Sequence, residues 1–307
     1  MTYRDFWQPL SQLYEAEEAR AIARLVMERR FGLSMTDIAC GAVEGIEEKE
    51  LSAIVSRLLT GEPVQYVLGE AEFCGRMFRV ESGVLIPRPE TEGLIDLLFD
   101  YLQLDDLLFV DLGSILDIGT GSGCIACTVA LEAELRKLDS TNVTAWDISD
   151  RAIAVARSNA LALGAKVIVE KQDALTPPDD VHRWDIIVSN PPYVCEHEKM
   201  AMHQNVLDHE PAEALFVPDD DPLLFYRAIG RYAVRALKPG GALLLEINPL
   251  YANELQELLS RTALCPSIGE PTPNPSLGEG RFAEVEIHED IFGKKRFAKA
   301  THPQPLS

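Results

Sequence analysis

The run Ser114-Ile115-Leu116-Asp117-Ile118-Gly119-Thr120-Gly121-Ser122-Gly123 reads as a buried strand that ends in a glycine turn. The apolar stretch that follows, Cys124 to about Leu135, reads as a helix, so the unit is strand, tight turn, helix. Glycines at alternate positions let the backbone approach a ligand where a Cβ would collide. Alone, the loop suits NAD, a flavin or S-adenosylmethionine. Its Gly-x-Gly-x-Gly spacing departs from the dinucleotide pattern Gly-x-Gly-x-x-Gly, whose third glycine packs the helix on the strand.

Downstream the alternation continues. Val143-Thr144-Ala145-Trp146-Asp147 is a second strand ending in an acid, the residue type that accepts hydrogen bonds from both ribose hydroxyls of an adenosine moiety. A helix from Arg151 to Leu163 leads to a third strand, Lys166 to Glu170, with Asp173 just beyond. The fourth strand is Asp185 to Ser189. Tyr226 to Leu237 is a helix, and Gly240-Gly241 introduces a fifth strand, Ala242 to Ile247. After the helix Ala252 to Ser260 come two strands, Phe282 to His288 and Arg296 to Ala300, joined at Gly293. This order predicts a doubly wound, Rossmann-like α/β sheet that finishes in a β-hairpin.

The fourth strand runs into Asn190-Pro191-Pro192-Tyr193, where two prolines forbid its continuation. Asn190 therefore sits at a strand's carboxyl end, where open α/β sheets bind their ligands. Its side-chain oxygen accepts hydrogen bonds and its NH₂ donates them; the prolines stiffen the backbone, and Tyr193 offers a flat face. That set suits a planar NH₂ group, an amide or an exocyclic amine. A dehydrogenase has no use for it, whereas a methyl transferase does. An amide nitrogen is a poor nucleophile because its lone pair is delocalised. If Asn190 Oδ1 and the Pro191 carbonyl each accept one N–H, they orient that nitrogen and stabilise the positive charge it develops. Tyr193 is expected to pack on the amide plane. No general acid is needed, because the leaving group is a neutral thioether.

Upstream, residues 1 to about 60 look helical. Glu17 to Phe31 carries an apolar stripe and stops at Gly32; Ser34 caps a short helix through Ala39; Glu47 to Leu59 repeats the stripe and closes at Gly61. From Pro63, Val64 to Leu68 and Arg76 to Val80 read as the two strands of a hairpin. Leu85-Ile86-Pro87-Arg88-Pro89-Glu90-Thr91-Glu92 is a stiff entry into a helix from Leu94 to Tyr101. The expected division is 1–62, a helical bundle for partner recognition; 63–84, a hairpin linker; and 85–307, the catalytic domain.

Length and composition allow a sizeable core, with 307 residues and 47% of them hydrophobic. The net charge of -21 concentrates just after Tyr193, at Glu196, Glu198, Asp208, Glu210, Glu213 and Asp219-Asp220-Asp221. Such a rim repels a nucleic-acid backbone and attracts a basic protein. No run approaches the ~20 apolar residues of a membrane span, and the N-terminus lacks a secretory pattern, so a soluble cytoplasmic protein is expected. The six cysteines are scattered; Cys124 and Cys127 form a lone CxxC in an apolar helical stretch, which predicts packing and no zinc or redox site. His197, His203 and His209 recur every six residues, so no two share a helical turn, and they read as surface residues with no metal. Cys265 to Gly280, with four prolines and three glycines, reads as a long loop.

Several of these stretches resemble one known family along nearly the whole chain. They are Thr60-Gly61-Glu62-Pro63-Val64-Gln65-Tyr66, Ile86-Pro87-Arg88-Pro89-Glu90-Thr91-Glu92, Asp117 to Gly123, Ser189 to Tyr193, Glu210-Pro211 with Ala214-Leu215, and Asp290-Ile291-Phe292-Gly293-Lys294. The family is HemK/PrmC, the protein-(glutamine-N5) methyltransferases that modify peptide-chain release factors. The resemblance implies a class I methyltransferase sheet behind a small helical domain and S-adenosylmethionine as donor. It implies as acceptor the glutamine of a Gly-Gly-Gln loop in a class-I release factor. Carried onto matching positions, Gly119, Thr120, Gly121, Ser122, Gly123, Asp147 and Asp173 hold the donor. Asn190, Pro191, Pro192 and Tyr193 hold the glutamine amide, with Asn190, Pro191 and Tyr193 catalytic and Asn190 also against the donor. Ala174 stands where some relatives carry an aromatic beside the adenine. Two other readings fit the same residues: an adenine-N6 methyltransferase on DNA or RNA, which extrudes its base, and a non-catalytic adaptor that keeps the fold.

Overall fold

A computed structural model describes residues 1–101, 113–138, 140–260 and 281–304. The loop expected over Cys265 to Gly280 lies outside the described residues.

The amino-terminal helices Tyr3–Trp7, Ala16–Phe31, Met35–Ala39 and Glu48–Leu58 gather around Phe6, Leu10, Val26, Met27, Leu51 and Leu58. Gly32 closes the long helix in the left-handed region at φ +66°, and Ser34 caps the next one reciprocally with Asp37. Val64–Leu68, expected as a strand, is a helical turn between Pro63 and a left-handed Gly69. Val64, Val67 and Leu68 lie one helical face apart and pack on the amino-terminal core, so tertiary burial overrides their β propensity. The Arg57 guanidinium donates to the carbonyls of Tyr66 and Val67 at 3.0 and 3.1 Å, satisfying the helix end. The hairpin sits further on, as β1 (Glu70–Phe73) and β2 (Arg76–Arg79), turning through Cys74 and Gly75 at positive φ.

The remaining strands are β3 (Ser114–Ile118), β4 (Asn142–Asp147), β5 (Val167–Lys171), β6 (Trp184–Ser189), β7 (Val194–Cys195), β8 (Phe216–Val217), β9 (Leu237–Glu246), β10 (Glu284–Glu289) and β11 (Lys295–Thr301). Seven of them form one sheet in the order β10-β11-β9-β6-β3-β4-β5, parallel except for β11 and β10. The sheet is doubly wound and ends in the expected antiparallel hairpin. Side chains alternate between two cores. Ile186, Val188 and Leu244 face the helices Glu92–Tyr101, Cys124–Leu135 and Asp150–Leu163, whereas Ile187, Leu243 and Leu245 face Leu224–Ala236 and Ala252–Ser260. β9 begins earlier than expected, at Leu237. A Cβ on Gly241 would stand 2.7 Å from the Asp185 carbonyl, so glycine lets the two strands continue side by side. Among the described residues no helix is long and apolar enough to cross a membrane.

Register places the site. Ile118 pairs with Ser189 and Ser189 with Leu245, so Gly119, Asn190 and Glu246 lie one step further along three adjacent strands. Strand order reverses at β3, and the crevice over its carboxyl end is where such sheets take ligands.

Candidate active site

A cavity of about 290 Å³ opens over the carboxyl ends of β3, β4 and β6. Its floor is the turn after β3, where Gly119, Gly121 and Gly123 adopt φ of +75°, +56° and +82°. The three glycines do different work. A Cβ on Gly121 would meet nothing within 4 Å, so this position faces open space, whereas one on Gly123 would stand 3.1 Å from Ala156 Cβ. Gly123 therefore packs the turn against the helix Asp150–Leu163 and does not line the cavity. The compact Gly-x-Gly-x-Gly spacing thus still dedicates one glycine to helix packing.

Asp147 ends β4 at the cavity wall. Its Oδ2 accepts from the Gly121 amide and its Oδ1 from the Ser149 amide, both at 2.9 Å. Burial pushes its carboxyl up, and these backbone donors pull it back. Each oxygen keeps a second lone pair for a ligand hydroxyl. Asp173 also lines the cavity, with Oδ1 fixed by the Leu175 amide at 2.8 Å. Ala174 offers no ring, but Ile148 and Leu175 flank the same wall and are 57% and 41% exposed. Beneath the turn, Asp117 is fully buried, which pushes its carboxyl up to about 7. Its Oδ2 accepts from Thr120 Oγ1 at 2.6 Å and the Ala126 amide at 3.2 Å, and its Oδ1 is unpartnered.

The facing wall carries Asn190, Pro191 and Pro192. Asn190 Nδ2 donates to Thr91 Oγ1 at 3.1 Å, and Thr91 Oγ1 donates to Glu246 Oε2 at 2.7 Å. Tyr193 is turned from the cavity: its hydroxyl donates to Glu246 Oε1 at 2.8 Å, and its carbonyl accepts from Asn248 Nδ2 at 3.1 Å. The segment Leu85–Glu92, read from sequence as a stiff linker, is itself a cavity wall. Arg88 Nη2 donates to Glu210 Oε1 at 2.6 Å, and the Ile86 amide donates to Glu210 Oε2 at 3.3 Å. Glu210, expected on the acidic rim, is thus a buried anchor. Of the other rim acids, Asp221 pairs with Arg227 at 2.8 Å and Glu198 accepts from the Cys195 amide at 2.8 Å.

Sequence reasoning missed Thr91, Glu210 and Glu246. Glu246 carried the signal that singled out Asp147, a lone acid closing an apolar strand, but nothing local says which groups it meets. Cys124 and Cys127 are buried among apolar neighbours, as expected. His197 is tied to Asp219, Nδ1 to Oδ1 at 2.8 Å, and with Cys195 Sγ three donor atoms lie within 4.8 Å of one another. Each already has a protein partner, Tyr251 in the case of Cys195, so the group carries no metal assignment.

A seven-stranded sheet of this order, with a glycine turn and a terminal acid framing a cavity at the strand-order reversal, defines a class I methyltransferase. Residues 96–215 match the methyltransferase small domain model, and residues 10–69 match the PrmC N-terminal domain model. The chain is 41% identical to the release factor glutamine methyltransferase of Bacteroides thetaiotaomicron over 95% of this chain and 96% of that one. It is 35% identical to the proteins of the same name from Flavobacterium psychrophilum and Streptococcus pneumoniae. The shares covered are 96% and 95% for the first, and 90% and 94% for the second. The chain belongs to the release factor glutamine methyltransferase family.

Proposed function

We propose that the protein transfers a methyl group from S-adenosylmethionine to the side-chain amide nitrogen (N5) of the glutamine in the Gly-Gly-Gln motif of a class-I peptide-chain release factor. The observation that carries this reading is Asn190 at the cavity wall, where Nδ2 donates one hydrogen to Thr91 and Oδ1 is left to accept from a ligand. The donor fits the opposite wall. Gly121 leaves open space, Asp147 supplies acceptors for ribose hydroxyls, and Ile148 with Leu175 give the base an apolar slot that needs no aromatic at Ala174. Thr120, Ser122 and Asp173 complete that wall. When bound, S-adenosylmethionine supplies an electrophilic sulfonium methyl.

The protein's own part is to hold and polarise the acceptor. Asn190 Oδ1 accepts one N–H of the glutamine amide and the Pro191 carbonyl accepts the other, which fixes the nitrogen and favours loss of its conjugation. Positive charge developing on nitrogen is met by these two oxygens, and the methylated nitrogen then gives up one N–H proton past them to bulk water. Orientation of this kind is worth about 7–11 kcal/mol in favourable cases. The amino-terminal helices, with Val64–Leu68 packed on them and not part of a linker as expected, recognise the protein substrate, and residues 85–307 carry the chemistry. The substrate places the enzyme in the cytoplasm. The net charge of -21 disfavours a nucleic-acid substrate and suits a partner with basic surface.

Mass spectrometry of purified release factor incubated with the protein and S-adenosylmethionine tests this. One added methyl on the Gly-Gly-Gln peptide is expected. Methylated adenine in DNA or RNA, with an unmodified release factor, overturns it.

A further inference from the structure

We propose that Thr91 and Glu246 are positioning residues that dictate which end of the Asn190 carboxamide faces the cavity, an inference that rests on Asn190 being the amide-holding residue. The two ends of that carboxamide are nearly isosteric but opposite in hydrogen bonding. With Oδ1 in the cavity, Asn190 accepts from an incoming NH₂. Flipped, it presents N–H to N–H, and the acceptor has no bond to make. The protein must therefore fix a two-fold choice that shape alone does not decide.

The chain of hydrogen bonds decides it through the chemistry of its last member. Glu246 is 1% exposed and closes an apolar strand. Burial pushes its carboxyl up, and the hydrogen bonds from Thr91 and Tyr193 together with the nearby Arg296 charge pull it back; as a carboxylate it only accepts. The Tyr193 hydroxyl donates to its Oε1 and the Thr91 hydroxyl to its Oε2. Thr91 has one proton, and that proton is spent on Glu246, so toward Asn190 the Thr91 oxygen can only accept. Asn190 must then offer Nδ2, which is the 3.1 Å contact present, and Oδ1 is directed away from Thr91. Polarity thus passes from a buried acid through a hydroxyl to the carboxamide. Register supplies the reach, because the pair Ser189–Leu245 sets Glu246 level with Asn190 on the neighbouring strand. Thr91 enters from the start of the helix Glu92–Tyr101, so three distant segments meet at one polarity decision.

The test uses Thr91→Val, which keeps shape and removes the hydroxyl, and Thr91→Ser, which restores it. Steady-state methylation of release factor is expected to lose about tenfold in kcat for Thr91→Val, the worth of about one hydrogen bond, with KM and donor affinity little changed. Thr91→Ser is expected to recover to within about twofold. In an Asn190→Ala background, Thr91→Val is expected to cost nothing further, since both act on one group. Wild-type kcat in Thr91→Val, no recovery by Ser, or full additivity with Asn190→Ala overturns the proposal. A second readout needs no substrate: the Asn190 side-chain NH₂ resonance, assigned with ¹⁵N-asparagine and Asn190→Ala, is expected to shift and exchange faster with water in Thr91→Val. An unmoved resonance overturns the inference even if the substrate reading holds. A wild-type protein that methylates no release factor sinks the substrate reading while this resonance still judges the relay.

Discussion

The two walls of the cavity are built on different principles. The wall after β3 and β4 is held by backbone donors no more than 26 residues away: Asp147 is fixed by the amides of Gly121 and Ser149, Asp173 by that of Leu175, and three glycines set the turn. The opposite wall is held by side chains from remote parts of the chain. Asn190 rests on Thr91, Thr91 on Glu246, and Arg88 on Glu210. The first wall suits a ligand that is the same in every cycle and needs only a rigid cradle. The second must orient one planar group of a macromolecule, and a carboxamide takes its direction only from specific partners. Backbone recognition is insensitive to side-chain identity beyond glycine; polarity recognition depends on each member of a chain.

The comparison breaks most sharply at Asn190. Asn190→Ala is expected to cut kcat by about 10²–10³, the worth of one pre-organised group at developing charge, while donor affinity measured by calorimetry stays near wild type. An equal fall in donor affinity would merge the two walls into one. Next comes Arg88→Ala, which leaves Glu210 buried without its guanidinium. The Glu210 side chain is 1% exposed and that of Arg88 33%. Because solvent still reaches the arginine, and the Ile86 amide stays with the acid, the loss is expected at about 2–3 kcal/mol in urea unfolding, below the full cost of breaking a buried pair. A loss within 0.5 kcal/mol, about the scatter of neutral surface changes, would mean that the 85–92 segment is anchored elsewhere.

Within the first wall, the two glycines separate ligand contact from packing. Both Gly121→Ala and Gly123→Ala force a Cβ into the left-handed region, at about 1–2 kcal/mol. Gly123→Ala adds a contact with Ala156 and is expected to lower the thermal midpoint further while leaving donor affinity within about threefold. Gly121→Ala points its methyl into open space and is expected to weaken donor binding about tenfold by calorimetry. Reversed effects would reassign the two positions.

This division also explains what the sequence disclosed. Every strand of the large sheet could be read, because alternating or continuous apolar runs and glycine punctuation are local signals. Asp147 and Asp173 were legible because an acid at a strand end is marked by position alone, and Asn190 because two prolines follow it. Val64–Leu68 was misread because the face that makes it helical is created by packing on the amino-terminal helices. Glu210 looked like one more rim acid, since its partners Arg88 and the Ile86 amide lie more than a hundred residues away. Thr91 stood inside the family stretch Ile86 to Glu92, but nothing local gave it a partner until β9 brought Glu246 beside it.

Tyr193 is the finest test of the contrast. From sequence its ring was expected on the acceptor's amide plane, yet its hydroxyl is bound to Glu246 and its carbonyl to Asn248 Nδ2, on the side of the loop away from the cavity. Removing only the hydroxyl separates the two roles. Tyr193→Phe leaves Glu246 Oε1 short of a donor and is expected to cost about 1–2 kcal/mol of stability. The Thr91 arm and hence the Asn190 polarity stay intact, because Oε2 still accepts the Thr91 proton, so kcat is expected to fall by no more than about threefold. A loss approaching that of Asn190→Ala would put the phenol hydroxyl among the groups that meet the substrate. A fall in stability with little change in rate makes Tyr193 a strut that holds the loop on β9.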